Sequence, residues 1–195
     1  MYYQRGISQQ EFRDLGISIL VYTIAFTIWS YRVDELPGVP TYLVVVSSFL
    51  VAIFAFLLHE FAHRYFARSY GGLAEFRMWP IGAFLALVTA AIGFLFAAVG
   101  AVYIQGIYDK DKVGKLSLAG PATNIVIGLI FYGLSLVYDA GSAFLILRFV
   151  ATINFYIGFF NLLPIPPLDG YKVFIWSKEY YIIAIALSLL FLIIL

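Results

Sequence analysis

Apolar residues fall into long runs along this chain, and short clusters of charged residues separate the runs. A helix needs roughly 20 apolar residues to cross about 30 Å of hydrocarbon. By that criterion the pattern predicts membrane spans at residues 15–31, 41–66, 117–138 and 142–163, with a shorter fifth run at 180–195. The fifth run reaches spanning length only if residues 171–178 contribute to its helix.

A cleaved signal peptide is the alternative interpretation of the first run. Such a peptide ends at a cleavage site made of small residues. Residues 32–38, which follow the run, include Arg, Asp, Glu and Pro and are typical of a tight loop instead. We therefore expect the first run to be retained as a span.

One further apolar segment, at about 75–105, differs from the others. Glycines interrupt it at positions 82, 93 and 100, and charged loops flank it on both sides. This pattern favours a re-entrant hairpin, or strands followed by a buried helix, although the run is long enough for a plain transmembrane helix. The expected fold class is an all-α polytopic membrane protein with about five transmembrane helices and one re-entrant or strand-containing membrane segment.

Composition excludes several other classes of protein. Hydrophobic residues make up 63% of the chain and charged residues 12%, against about 25% charged in soluble domains. A net charge of +1 provides no basic surface for nucleic acid. The absence of cysteine excludes disulfides and thiolate metal ligands. We expect a single integral membrane domain over residues 1–195 that is embedded in a lipid bilayer.

The motif His59-Glu60-Phe61-Ala62-His63 lies inside the second run and contains both histidines of the chain. Helical residues four apart share a face, so the two imidazoles can bind one metal ion. Histidines at this spacing are typical zinc ligands, with the glutamate between them as general base toward a water on the metal. Ionisable side chains in a span are costly and mark functional sites. The alternative is a metal-free histidine pair at the membrane interface.

A hydrolytic zinc site needs a third protein ligand and one open position. Because the chain has no cysteine and no third histidine, that ligand must be a carboxylate. Asp169 is the strongest candidate, since it lies between two apolar runs just after the prolines of residues 164–167. The alternative for Asp169 is an N-cap that opens the last helix, and the two roles are compatible.

Three motifs occur in order along the chain: residues 59–63, Ala119-Gly120-Pro121-Ala122-Thr123-Asn124, and residues 161–170 with their Asn, prolines and Asp-Gly. Together they resemble the site-2 protease family of intramembrane zinc metalloproteases. The resemblance covers a catalytic core of about residues 41–176. Asn124 lies in the Gly-Pro-x-x-Asn motif of that family, for which we expect a mainly packing role.

The same resemblance implies functions for the polar residues of the core. His59, His63 and Asp169 would bind Zn²⁺, and Glu60 would be the catalytic acid/base. Asn161 would help to hold the substrate or stabilise the oxyanion.

The chain departs from the family pattern in two places and keeps every implied ligand. Ala62 and Tyr171 stand where many members have glycine. No PDZ-like or CBS-like regulatory module is recognisable, so we expect a minimal form of the family.

The site also constrains the topology. His59, His63 and Asp169 lie near the C-terminal ends of their apolar runs, so those two helices must run in the same direction to share a metal. One of the two intervening runs therefore cannot span, and the Gly-rich segment at 75–105 is the better candidate.

The basic residues indicate which side of the membrane the metal faces. In this topology, ten of the twelve Lys and Arg residues lie on the side of the metal. By the positive-inside rule that side is cytoplasmic, so we expect a multi-pass cell-membrane protein with a cytoplasmic N-terminus. Of the two exceptions, Arg32 and Arg148, the second lies within a span and is expected to snorkel or pair.

The predicted activity is zinc-dependent endopeptidase cleavage of transmembrane segments in membrane-protein substrates, near the cytoplasmic face. We expect an exposed sheet edge at residues 75–85 to pair with the unwound substrate. The alternative for that stretch is an aromatic interfacial anchor. Two other functions stay open: a membrane metal transporter, with Glu60 as a fourth ligand, and a catalytically silent membrane scaffold.

Overall fold

The computed structural model describes residues 6–96, 98–138 and 140–195. Arg5, counted above among the cytoplasmic basic residues, and Asp139, expected in a short turn, lie outside these ranges. The described residues form eight α-helices, one π-helical segment and two strands. In chain order they are α1 (Gln9–Val33), α2 (Thr41–Val51), a π-helical segment (Ala52–Leu57), α3 (Leu58–Ser69), β1 (Leu73–Met78), α4 (Pro80–Ala91), β2 (Gly100–Gln105), α5 (Lys110–Ser135), α6 (Gly141–Asn161), α7 (Asp169–Trp176) and α8 (Lys178–Ile194).

Four helices in the described part are long and apolar enough to cross a membrane: α1, the continuous helix Thr41–Ser69, α5 and α6. The predicted all-α polytopic architecture is confirmed. The fifth predicted span corresponds to α8, which has 17 residues and so is shorter than these four. Ser177 separates α8 from α7, so residues 171–176 form a helix of their own instead of lengthening α8.

Helix α1 begins six residues before the predicted start at residue 15, at Gln9. Ser8 is its N-cap, and the Ser8 hydroxyl accepts a hydrogen bond from the amide of Glu11 at 3.0 Å. The acidic residues of its first turns are buried instead of solvated, with Glu11 fully buried and Asp14 5% exposed. The helix therefore extends into a polar stretch because the protein, not water, surrounds those side chains.

The second span is a 29-residue helix whose middle is widened into a π-helical segment at Ala52–Leu57. Such segments are rare in helices and occur frequently at functional sites. This one ends two residues before His59. It contributes Phe56 to an aromatic cluster, in which the ring of Phe56 lies 4.3 Å from that of Tyr22 and 5.5 Å from that of Phe76.

The segment predicted to be re-entrant consists of two strands with a helix between them. Strand β1 pairs with β2 in antiparallel register, with Leu73 opposite Gln105 and Met78 opposite Gly100. Helix α4 lies between the strands and begins at Pro80, where the missing amide hydrogen is not needed. Because its two ends are neighbours in the sheet, the segment returns to its starting face, which confirms the expected strand-containing arrangement.

Helices α5 and α6 pack closely on each other and lead into the loop that precedes α7. A Cβ atom on Gly128 of α5 would lie 2.8 Å from the Phe155 ring of α6, so glycine allows this close approach. Arg148, within α6, lies 5.3 Å from the Tyr132 ring centroid and 5.5 Å from that of Phe144. The expected pairing of this half-buried cation is therefore with aromatic faces.

Candidate active site

Helix α3 places both histidines and the glutamate of the motif on the inside of the molecule. His59, Glu60 and His63 are buried, at 3%, 8% and 7% exposed. The two imidazole rings lie one helical turn apart, with centroids at 4.7 Å, and their Nε2 atoms are 3.0 Å apart. The i, i+4 spacing therefore points both ring nitrogens at one place.

Asp169 reaches the same place from the other end of the sequence. Its Oδ2 lies 3.4 Å from His59 Nε2 and 3.0 Å from His63 Nε2. Leu168, not Asp169, is the N-cap of α7, and Asp169 is the first helical residue without a side-chain capping bond. The alternative role of Asp169 as a helix cap is therefore wrong.

Two glycines allow the chain to bring Asp169 to the histidines. A Cβ on Gly170 would lie 2.1 Å from the carbonyl oxygen of Leu162, so the loop folds tightly onto the end of α6 only with glycine there. A Cβ on Gly114 of α5 would lie 2.0 Å from the Trp176 ring, which packs α7 on α5. The Trp176 indole also donates to Asp111 at 3.0 Å. These contacts fix α7 at both of its ends.

Each imidazole is held by its second nitrogen. His59 Nδ1 lies 2.6 Å from Asn124 Oδ1, and His63 Nδ1 lies 2.8 Å from the Leu116 carbonyl oxygen. Both partners are acceptors, so each Nδ1 carries the proton and each Nε2 presents a lone pair. Hydrogen bonds of this kind orient histidine ligands in metal sites.

Asn124 has more than the packing role that was expected for it. It is fully buried, and its Nδ2 donates to the Ala55 carbonyl at 2.8 Å and to Asn154 Oδ1 at 3.1 Å. Asn154 in turn donates to the Val150 carbonyl at 2.8 Å. Because its two donor hydrogens are engaged, the amide of Asn124 is fixed with its oxygen toward His59. Orienting His59 is thus a role of Asn124 beyond the expected packing.

Gly120 leaves the space in front of the three side chains open. A Cβ there would lie 2.4 Å from His63 Nε2 and 2.6 Å from His59 Nε2. The backbone of α5 therefore passes directly beside the two ligand atoms. Any larger residue would occupy the position toward which the nitrogens point.

The donor set fits a zinc ion. One ligand atom from each of His59, His63 and Asp169 lies within 4.8 Å of the other two. The pairwise distances given above, 3.0 to 3.4 Å, match the roughly 3.3 Å between neighbouring ligands of a tetrahedral zinc ion with bonds near 2 Å. Two neutral imidazoles and one carboxylate, with one position left for water or substrate, are a typical catalytic zinc set.

Glu60 projects into a cavity of about 240 Å³ beside this cluster. Its Oε2 accepts a hydrogen bond from the backbone amide of Val102 in β2 at 2.9 Å. Asn161 and Lys172 also line the cavity. The amide nitrogen of Asn161 donates to the Ile157 carbonyl at 3.0 Å, which leaves its second hydrogen for another acceptor.

Only one of the two outer edges of the sheet faces the cavity. Along β1, the amide of Phe76 donates to Glu11 Oε1 at 3.0 Å and that of Met78 lies 3.4 Å from Asp14 Oδ2. Helix α1 therefore covers the β1 edge, which corrects the expectation of an open edge at residues 75–85. The edge of β2 lines the cavity at Gly100, Val102 and Ile104.

Several residues of this site were missed by sequence reasoning. Leu116 and Val102 contribute through backbone groups, which the identity of the side chain does not reveal. Asn154 is a polar residue inside an apolar run, and Glu11 precedes another apolar run. Polar side chains are energetically unfavourable in lipid, so both positions could have been identified from the sequence as candidates for functional contacts. Glu11 accepts from Arg64, the residue after His63, at 2.8 Å, and so ties α1 to the end of the site helix.

Known proteins resemble this chain in sequence. The sequence model of Peptidase family M50 matches residues 137–181. MJ0611 of Methanocaldococcus jannaschii, which is named a zinc metalloprotease, is 38% identical over 173 residues, covering 87% of this chain and 86% of that protein. Zinc metalloprotease MJ0392 of the same organism is 26% identical over 135 residues, covering 68% of this chain and 35% of that protein. Rip3 of Mycobacterium tuberculosis is 28% identical over 177 residues, 83% of this chain and 40% of its own length. No solved structure matches the chain.

Proposed function

Because the chain belongs to peptidase family M50, the site-2 proteases, and is a zinc metalloprotease, we propose that it hydrolyses peptide bonds inside transmembrane segments of other membrane proteins. The observation that carries this proposal is the position of the His59, His63 and Asp169 cluster among helices apolar enough to span a membrane. A hydrolytic site enclosed by such helices is suited to a substrate that is itself in the membrane.

His59, His63 and Asp169 are the residues that would hold the zinc ion. When bound, zinc supplies a Lewis acid that polarises a carbonyl group and acidifies a water molecule. The hydrogen bonds from Nδ1 of each histidine keep both Nε2 atoms available for that binding. Glu60 stands beside the cluster as the group that takes a proton from the attacking water and later delivers it to the departing amine.

Asn161 is the proposed donor to the oxyanion. It lines the same cavity as Glu60 from the last turn of α6, and one of its two amide hydrogens is used by Ile157. The other hydrogen can be donated to an oxygen of the substrate. Loss of such a donor costs about 2.7–4 kcal/mol of transition-state stabilisation in other hydrolases.

The edge of β2 is the proposed docking strand for the substrate. A transmembrane helix hides its peptide bonds in its own hydrogen bonds, so it must unwind before cleavage. An extended segment can then recover those hydrogen bonds by adding to an open sheet edge. Of the two edges, the one at β2 faces the cavity, because α1 covers the one at β1.

We further propose that the site opens toward the cytoplasm. The start of α1, the end of α3, the sheet and the start of α5 lie at one end of the molecule. The Arg64–Glu11 pair, the contact of Ser8 with Glu75 and the approach of Lys112 to the Tyr70 ring join these elements. This end carries most of the basic residues, which favours the cytoplasmic side of a cell membrane.

Reconstituted protein and a Leu/Ala-rich transmembrane peptide in lipid nanodiscs test the proposal. We expect cleavage inside the apolar stretch, located by mass spectrometry. Glu60→Gln should lower the rate by about 10²- to 10⁴-fold while the bound zinc stays stoichiometric. Unchanged cleavage in Glu60→Gln would show that Glu60 is not the base.

Labelled casein serves as the comparison substrate, because it is soluble and unstructured. Cleavage of casein without cleavage of any membrane-embedded peptide would contradict the intramembrane proposal while leaving the metalloprotease activity intact. A metal transporter would instead move zinc across the bilayer and cleave neither substrate. Within the described residues, His59, His63 and Asp169 form the only group of three potential metal ligands, which gives transport no second site.

A further inference from the structure

The backbone amide of Val102 makes the one hydrogen bond that the structure records to the carboxylate of Glu60 from the described residues. The amide nitrogen lies 2.9 Å from Oε2, and both groups line the cavity beside the histidines. Among the described residues, no hydrogen bond reaches Oε1. The carboxylate is therefore anchored through one oxygen and free to accept a proton through the other.

The pairing of the sheet explains why this amide is available. Val102 stands opposite Phe76, and the Phe76 amide points away from β2 toward Glu11. In an antiparallel sheet, two residues opposite each other either exchange both hydrogen bonds or point both amides outward. Val102 is thus at an outward position, and its amide is not part of the ladder with β1.

We propose that the Val102 amide is a positioning group for Glu60 in the hydrolysis, and that it couples the general base to the strand on which the substrate docks. The inference rests on the proposed function, since it assigns Glu60 the role of base. A hydrogen bond to a charged acceptor is directional and strong, so it fixes which oxygen faces the attacking water. The next outward amide on the same edge, that of Ile104, is two residues away and faces the cavity without reaching Glu60.

This difference between neighbouring amides allows the positioning of Glu60 to be tested separately from the docking of the substrate. The Ile104 amide is not engaged by Glu60 and can donate to an added substrate strand, so its loss should raise KM, whereas the Val102 amide is already held by Glu60. Only loss of the Val102 amide should disturb Glu60, and that disturbance should appear in kcat. The split between kcat and KM therefore identifies the role of each amide.

Backbone esters provide the sharpest test. Replacing Val102 or Ile104 by the matching α-hydroxy acid during translation exchanges the N–H for an oxygen and keeps the side chain. With the Leu/Ala-rich transmembrane peptide as probe, we expect the ester at 102 to lower kcat by about 10- to 100-fold. The ester at 104 should leave kcat within about twofold, and both should retain stoichiometric zinc. An unchanged or increased kcat for the ester at 102 overturns the proposal.

A second measurement does not depend on activity. Hydrogen exchange of the Val102 amide, followed by NMR on the zinc-loaded protein, should be faster in Glu60→Ala than in the wild type. The Ile104 amide should exchange at the same rate in both proteins. Equal exchange at Val102 overturns the proposal even if no peptide substrate is cleaved. If exchange and kcat respond as expected but cleavage falls outside the apolar stretch, only the intramembrane function fails.

Discussion

At the scale of single residues, the site depends on groups that orient the proposed ligands without binding the metal. Asn124 and the Leu116 carbonyl hold the two imidazoles by Nδ1, and Gly120 keeps the space in front of Nε2 open. None of these three would be identified as functional from its residue type alone. Loss of any of these three groups should lower the affinity for zinc more than it lowers the stability of the fold.

Replacement of Asn124 by alanine should weaken zinc binding by about 10- to 100-fold, because the partner that fixes the ring of His59 is lost. Competition with a chromogenic chelator measures the affinity. Asn154→Ala is the matched control: it removes one partner of Asn124 but leaves the bond to the Ala55 carbonyl, so we expect a smaller loss. Equal affinity in wild type and Asn124→Ala would refute the orienting role.

Gly120→Ala should abolish stoichiometric zinc binding, since the new methyl group would lie 2.4–2.6 Å from both Nε2 atoms. Metal analysis of the purified variant measures the effect. Gly133→Ala, on the same helix, is the control, because a Cβ there meets nothing within 4 Å. Full zinc occupancy in Gly120→Ala would mean that α5 does not approach the site as closely as described.

At the scale of elements, the sheet and the site helix are joined through the start of α1. Glu11 accepts from Arg64 of α3 and from the Phe76 amide of β1, and it is fully buried. Its sequence context, Ser8 followed three residues later by glutamate, is a capping-box pattern that predicts a bond back to the Ser8 amide. The structure shows Glu11 turned toward the other elements instead, so that three elements share one carboxylate.

Glu11→Ala should destabilise the protein strongly, because it leaves the half-buried guanidinium of Arg64 with only the Gly6 carbonyl as an acceptor and leaves the Phe76 amide with none. Removing one member of a buried ion pair typically costs about 3–5 kcal/mol. Equilibrium unfolding in mild detergent measures the change. Lys115→Ala, which breaks the exposed ion pair with Asp111, should leave the stability unchanged within error. Similar stability of both variants would contradict the linking role of Glu11.

At the scale of the whole molecule, the strand–helix–strand segment decides which ends of the helices meet. Because β1 and β2 are neighbours, α3 ends and α5 begins at the face that carries the sheet. Helix α5 then crosses to the opposite face, and α6 returns to bring Asn161 and Asp169 to the histidines. If every apolar run crossed the membrane, Asp169 would lie at the face opposite to the histidines.

Single cysteines can test this topology because the chain has none of its own. Tyr108→Cys and Lys178→Cys should be labelled by a membrane-impermeant maleimide from the cytoplasmic side, and Glu35→Cys from the other side. All three positions are exposed in the structure. Labelling of Tyr108→Cys and Lys178→Cys from opposite sides would contradict the arrangement of α5, α6 and the sheet.

Much of this architecture follows from local patterns in the sequence. The apolar runs located the four long spans, because hydrocarbon thickness sets the length of a helix and charged residues are costly in lipid. The glycines at 82, 93 and 100 marked the segment that does not span. The spacing of His59 and His63 and the absence of other soft ligands pointed to Asp169 as the third member of the cluster, and the structure brings the three side chains together.

The tertiary structure decided the contacts between elements that are far apart in sequence. Which strand edge stays open, which amide holds Glu60 and which acceptors hold the imidazoles all depend on how α1, β2 and α5 pack around α3. Periodicity along one element shows which face is buried but not which partner covers that face. For the same reason the sequence did not show that Glu11 links three elements or that Asn124 orients His59.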